Sequence, residues 1–111
     1  MKKILLMISL LSICALAIAD KGASPLIIDV RTPAEWNTGH LNEAKHIEWQ
    51  DIGAHISELT SDKDETIYVY CRSGGRSGKA KTILDELGYS NVINAGGVED
   101  AQAFIDAQEG S

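Results

Sequence analysis

Cys71 heads a short run of glycines, serines and arginines that could do chemistry. The run continues with Arg72, Ser73, Gly74, Gly75, Arg76 and Ser77. A glycine-rich turn can point several backbone N–H groups at one atom, and two arginines add fixed positive charge. Both features stabilise a thiolate, which is the reactive form of cysteine, and both attract an anionic substrate. The pattern therefore favours a nucleophilic thiol over a cysteine that packs in the core, because a packing cysteine normally has apolar neighbours.

Two elements must position this loop. The apolar run 66–70 predicts a buried strand that leads into Cys71, and apolar residues at helical spacing over 77–87 predict a helix that leads out. Gly88 would end that helix. The thiol is therefore expected between the end of a strand and the start of a helix.

The rest of the chain alternates between the same two patterns. Further strands are predicted over 26–30, 46–47 and 91–94, and further helices over 32–39, 51–59 and 98–107, with a turn at 96–97. This alternation predicts one α/β domain, a small open parallel sheet flanked by helices on both faces. Since parallel strands end at the same edge, Asp29 at the end of the first strand could meet Cys71.

The first 19 residues have the pattern of a secretory signal peptide. Lys2 and Lys3 precede an apolar stretch over 4–19, and Ala17-Ile18-Ala19 forms a small-x-small cleavage site. A membrane anchor is the alternative, but a span needs about 20 residues. We therefore expect a leader over 1–19 and a domain over 20–111 that works in the periplasm without membrane contact.

The charge pattern limits the possible partners. The chain carries a net charge of −6, and removal of Lys2 and Lys3 leaves eight basic residues against 16 acidic ones, or −8. Such a charge disfavours nucleic acid and anionic membranes. The basic residues that lie close together are Arg72, Arg76, Lys79 and Lys81. They indicate a site for a small anion beside the thiol.

Cysteine and histidine usage narrows the chemistry further. Cys14 lies in the predicted leader, so Cys71 would be the one thiol of the domain and no internal disulfide could form. Any disulfide would join Cys71 to another molecule. The three histidines are too scattered for a recognisable metal motif. We expect neither a metal nor a cofactor.

Taken together, these residues resemble the single-domain form of the rhodanese, or sulfurtransferase, family. Residues 29–36 look like its first signature and residues 39–47 like the continuation, while 71–77 resemble its active-site loop and 94–97 its closing signature. The pieces span nearly all of residues 20–111 in the right order. One departure is that Ala101 and Gln102 stand where many relatives have a tryptophan.

The resemblance implies roles for named residues. Cys71 would be the nucleophile and carry a persulfide, held by backbone N–H groups from Arg72 to Ser77. Arg76 would orient the loop and help to hold the donor. Asp29 and Arg31 would support the loop, with Arg31 also placed to pair with Glu35 four residues on.

The implied function is a thiosulfate sulfurtransferase, with cyanide or a thiol as acceptor and a monomer as the simplest state. A persulfide carrier that delivers sulfur to a protein partner is the alternative, and a non-catalytic interaction domain is a third. A phosphatase is disfavoured, since those loops have five residues between Cys and Arg, whereas four separate Cys71 from Arg76 and Ser77 follows. The shorter ring of N–H groups suits a single sulfur better than a tetrahedral oxyanion.

Overall fold

Apolar runs of the sequence form the strands of a parallel sheet, with a helix after each strand. The structure, a computed structural model, describes residues 25–110, so the predicted leader over 1–19 lies outside the described residues. The elements in chain order are β1 (Leu26–Asp29), α1 (Pro33–Asn37), β2 (Lys45–His46), α2 (Ile52–Leu59), β3 (Ile67–Cys71), α3 (Gly75–Glu86), β4 (Val92–Gly97) and α4 (Val98–Gly110). The predicted α/β class is confirmed.

The sheet brings the two chemically important strand ends together. Its order is β2-β1-β3-β4, and every pairing is parallel. The register sets Asp29 of β1 opposite Tyr70 of β3, one residue before Cys71. All five residues of β3 are buried, as expected for a parallel strand covered on both faces. The expectation that Asp29 and Cys71 share one edge is confirmed.

Helices cover both faces of this sheet, as the alternating pattern predicts. On one face, Ile28 and Val69 pack with the buried apolar residues of α2 and α3. On the other face, Tyr68 and Tyr70 pack with the buried residues of α4. The alternation of side chains along β3 therefore divides the core into two apolar clusters.

The short helix α1 begins with a complete capping box. The Thr32 hydroxyl accepts a hydrogen bond from the Glu35 N–H at 3.2 Å, and the Glu35 carboxylate accepts one from the Thr32 N–H at 3.1 Å. Pro33 follows the cap, where its missing N–H costs nothing. This reciprocal arrangement fixes the direction of the Glu35 side chain.

Two predicted boundaries next to Cys71 are wrong. The helix α3 begins at Gly75 rather than Ser77, because Gly74 adopts a left-handed conformation with φ of 104° and turns the chain early. The strand β4 continues through residues 96–97, which were predicted as a turn. The register explains this extension, since Val69 pairs with Asn94 and Tyr70 with Gly96, which leaves one extra residue in β4.

Gly97 lets this extended strand run against the cysteine loop. A Cβ atom at position 97 would lie 2.5 Å from the backbone oxygen of Arg72. Only glycine permits that approach without displacement of the loop. No helix within residues 25–110 is both long enough and apolar enough to cross a bilayer.

Candidate active site around Cys71

The sulfur of Cys71 lies inside a ring of hydrogen-bond donors. Cys71 ends β3 and is 1% exposed. Its Sγ accepts hydrogen bonds from the Gly74 N–H at 2.9 Å and the Ser77 N–H at 3.4 Å, and the Ser77 hydroxyl lies 3.4 Å away. These donors come from the loop and from the first turn of α3. Of the N–H groups predicted to surround the sulfur, those of Gly74 and Ser77 therefore donate to it.

Burial and hydrogen bonding act in opposite directions on this thiol. Burial is the largest single influence and raises the pKa of Cys71. The hydroxyl and N–H of Ser77, together with the N–H groups of Gly74 and Ser73, outweigh it and hold the pKa below its ordinary value. A lowered pKa means a larger thiolate fraction at neutral pH, and the thiolate is the reactive form of cysteine.

Arg76 is committed to a carboxylate that lies far away in the sequence. Its Nη1 donates to Glu35 Oε1 at 2.7 Å and its Nη2 to Oε2 at 3.1 Å. The hydrogen bond from Arg76 and the one from the Thr32 N–H lower the pKa of Glu35 to about 2. This bidentate pair ties the start of α3 to α1, and the guanidinium edge that faces Glu35 is occupied.

Arg72 is much freer than Arg76. Its side chain is 76% exposed, and its Nη1 lies 3.9 Å from Glu35 Oε2, a loose ion pair. A screened contact of this kind holds a side chain weakly. Arg72 therefore offers a solvent-exposed positive charge in the loop that follows Cys71.

Asp29 and Arg31 form a buried pair beside the sheet edge. The two Asp29 oxygens accept from Arg31 Nε at 3.0 Å each, and Oδ2 also accepts from Nη2 at 2.7 Å. Arg31 Nη2 donates further to the Gly39 carbonyl at 2.7 Å. The predicted pairing of Arg31 with Glu35 is wrong, because the nearer Asp29 carboxylate takes the guanidinium while the capping box turns Glu35 toward Arg76. Asp29 supports the segment after β1 through these bonds.

Tyr70 adds a polar contact that the strand pattern did not reveal. Its hydroxyl accepts a hydrogen bond from the Leu41 N–H at 3.1 Å. Burial raises the pKa of Tyr70 to about 12, so the phenol stays protonated at neutral pH. The sequence predicts Tyr70 only as a packing residue. Its hydroxyl also holds the segment around Leu41 against β3, one residue before Cys71.

The structure gathers most of the predicted site residues around one sulfur. Cys71 ends β3, residues 72–74 connect the two elements, and Gly75 begins α3. Ser73 is exposed. Asp29 and Arg31 lie at the same edge but bond to each other. In the part of the chain that the structure describes, no group of three or more His, Cys, Asp or Glu is arranged to hold a metal ion.

Two contacts of the site are not among those that the sequence predicts. Glu35 binds Arg76, and a signal for its direction was available in the Thr32-x-x-Glu35 capping pattern. Asn94 receives a hydrogen bond from the Ser77 hydroxyl at 2.7 Å. No local pattern predicts this contact, because Ser77 and Asn94 lie 17 residues apart in the sequence.

Comparison with known proteins agrees with this geometry. A family model described as "Rhodanese-like domain" matches residues 14–103. The thiosulfate sulfurtransferase PspE of Escherichia coli is 42% identical over 73 residues, which is 66% of this chain and 70% of that protein. The putative sulfur carrier protein YrkF of Bacillus subtilis is 32% identical over 75 residues, 68% of this chain and 40% of that one.

A solved structure gives the same result for the fold. The structure titled "rhodanese with anions from E. coli" superposes with a TM-score of 0.67 at 40% sequence identity, covering 69% of this chain and 91% of that one.

Proposed function

This chain belongs to the rhodanese-like family, and from that premise we propose that it is a thiosulfate sulfurtransferase in which Cys71 carries the transferred sulfur. The observation that carries the proposal is the ring of donors on the Cys71 sulfur, with two arginines beside it. Such a ring stabilises a thiolate before the reaction and a negatively charged terminal sulfur after it.

In the first half of the reaction the Cys71 thiolate attacks the outer sulfur of thiosulfate. The new bond joins Sγ to that sulfur, and the sulfur–sulfur bond of thiosulfate breaks. Sulfite leaves as a dianion with the electron pair of the broken bond, and the transferred sulfur keeps its negative charge as the terminal atom of the persulfide.

In the second half an anionic acceptor removes the terminal sulfur. Cyanide attacks it to give thiocyanate, or a thiolate attacks it to give a second persulfide. The bond between the two sulfurs breaks, and its electron pair returns to Sγ as the Cys71 thiolate. The lowered pKa of Cys71 makes it a better leaving group in this step.

The surroundings of the sulfur favour a small anionic donor. Cys71 is 1% exposed, so a bulky group would have to displace the loop before it could touch Sγ. Arg72 offers a solvent-exposed positive charge at the loop, while the bidentate pair with Glu35 keeps Arg76 in place. Arg72 attracts the donor dianion, and Arg76 orders the turn that receives it.

Steady-state formation of thiocyanate from thiosulfate and cyanide tests the proposal. The wild-type protein should turn over many times, and Cys71→Ser, which keeps the size and a polar atom, should form no thiocyanate. Continued turnover by Cys71→Ser would contradict the assignment of Cys71 as nucleophile.

A persulfide carrier is the second candidate. The similarity to the putative sulfur carrier YrkF favours it, and the domain over 20–111 holds one cysteine, so no resolving thiol is available within it. A carrier would take up one sulfur from the donor and then stall with small-molecule acceptors. A burst of one equivalent of sulfite without further turnover would favour the carrier over the enzyme.

We further propose that the domain acts in the periplasm after removal of residues 1–19. The support is the basic start, the apolar stretch and the Ala17-Ile18-Ala19 site of the sequence. The intact mass of the protein recovered from a periplasmic extract measures this directly. A chain that retains Met1–Ala19 would contradict it.

A further inference from the structure

The side chain of Asn94 joins three parts of the chain around Cys71. Its Oδ1 accepts hydrogen bonds from the Ser77 hydroxyl at 2.7 Å and the Gly96 N–H at 2.9 Å. Its Nδ2 donates to the Gly74 carbonyl at 3.1 Å. Two of its three partners, Gly74 and Ser77, are also the residues that donate to the Cys71 sulfur.

Counting lone pairs shows where the Ser77 hydrogen can go. The Gly74 carbonyl already accepts from the Gly78 N–H at 3.1 Å and from Asn94 Nδ2, which uses both of its lone pairs. The Ser77 oxygen lies 3.1 Å from that carbonyl but 2.7 Å from Asn94 Oδ1. The Ser77 hydroxyl therefore donates either to Asn94 Oδ1 or to the Cys71 sulfur.

That choice follows the protonation of Cys71. When the sulfur carries a proton, its S–H can donate to the Ser77 oxygen, and the Ser77 hydrogen points at Asn94. When the sulfur is ionised, the Ser77 hydroxyl turns to donate to it, because a charged acceptor binds a donor more strongly than a neutral one. Asn94 Oδ1 keeps the Gly96 N–H in both states.

We propose that Asn94 is a positioning residue for Cys71, because its carboxamide holds the Gly74 carbonyl and so keeps the Gly74 N–H directed at the sulfur. The left-handed backbone at Gly74, with its φ of 104°, most needs such a restraint, because glycine loses more conformational freedom on folding than other residues do. The inference deepens the proposed function, since it concerns the same sulfur, but the acidity of the thiol can be measured without any sulfur donor.

The test is the rate at which iodoacetamide alkylates Cys71 in Asn94→Ala as a function of pH. Loss of one ordered hydrogen-bonding partner should raise the pKa of Cys71 and slow alkylation at pH 7 by about threefold to tenfold. Thiosulfate turnover should fall through kcat more than through KM, because Asn94 acts on the sulfur and not on the donor.

A matched control and a second variant make the outcome specific. Asn91→Ala removes an amide one residue before β4, where the Asn91 side chain donates to the Thr66 hydroxyl. Cys71 in this variant should be alkylated at the wild-type rate. Asn94→Asp keeps the acceptor for Ser77 but loses the donor to Gly74 and adds negative charge, so it should slow alkylation at least as much as Asn94→Ala. If Asn94→Ala does not fold, the alkylation rate of Asn94→Asp tests the proposal instead.

The route through Ser77 can be separated by a double substitution. In a Ser77→Ala background the competition between Asn94 and the sulfur for the Ser77 hydrogen is absent, so Asn94→Ala should slow alkylation at least as much as it does alone. A wild-type alkylation profile for folded Asn94→Ala would overturn the inference. Faster alkylation would overturn it as well, because competition for the Ser77 hydrogen would then be the main effect of Asn94. Slower alkylation without any thiosulfate turnover in wild type would support the inference and contradict the proposed function.

Discussion

Replacement of Ser77 by alanine removes a side-chain hydroxyl that contacts the Cys71 sulfur. Ser77 is fully buried, its oxygen lies 3.4 Å from Sγ, and its hydroxyl is the leading influence that lowers the pKa of Cys71. The N–H donors of Gly74 and Ser77 belong to the backbone and survive the change. The substitution therefore isolates one donor.

The size of the effect follows from the two bonds that the hydroxyl can make. A hydrogen bond to a charged group contributes about 1.5–3 kcal/mol, and the neutral bond to Asn94 that is given up contributes about 0.5–1.5 kcal/mol. The difference of about 1 to 1.5 kcal/mol corresponds to a fivefold to twelvefold loss of thiolate at pH 7, roughly. The pKa of Cys71 should rise accordingly.

The assay is the pH dependence of alkylation by iodoacetamide, with far-UV circular dichroism as the check on folding. Thr82→Ala is the matched control, because it removes an exposed hydroxyl of α3 that bonds only to the Gly78 carbonyl at 3.2 Å. It should leave the profile unchanged. An unchanged or faster rate in folded Ser77→Ala would refute the reasoning, since the sulfur would then owe its acidity to the backbone alone.

Three further substitutions probe the surroundings of the sulfur. The pKa of the Glu35 carboxylate is lowered from 4.5 to about 2, so its pair with Arg76 stabilises the fold fully above pH 4.5 and is lost as the pH falls toward 2. Glu35→Gln should therefore make the free energy of unfolding, measured by urea titration, less dependent on pH in that range. Arg72→Gln should raise KM for thiosulfate by about threefold at low ionic strength, and the two KM values should converge as salt is added. A difference in KM that does not change with salt would contradict a role of Arg72 in attracting the donor. Gly97→Ala would set a Cβ 2.5 Å from the Arg72 backbone oxygen, so it should destabilise the fold by about 1–3 kcal/mol in urea, whereas Gly110→Ala, with open space around it, should not.

Most of the fold could be predicted from local patterns. The apolar run before Cys71 and the cap at Thr32-Pro33 each specify an element through interactions within a few residues. Parallel pairing then follows from the alternation of strands and helices. The boundaries that failed lie at Gly75 and at 96–97, where a left-handed glycine and an extra residue in β4 depend on contacts between strands.

The candidate site was predictable where it is local and not where it is assembled by the fold. The donors on the sulfur come from the seven residues of one turn, so the sequence around Cys71 indicates them directly. The partner of Arg76 lies 41 residues away in the sequence, and the partner of Ser77 lies 17 residues away. Spacing rules apply within one helix or turn, so they assigned Glu35 to Arg31 and left Asn94 without a role.

The mass of the intact protein before and after incubation with thiosulfate tests the central claim most directly. We predict an increase by one sulfur atom on the wild-type protein, its loss on addition of cyanide, and no increase for Cys71→Ser. A protein that is folded and free of oxidation at Cys71, yet never gains a sulfur that cyanide can remove, would contradict the account.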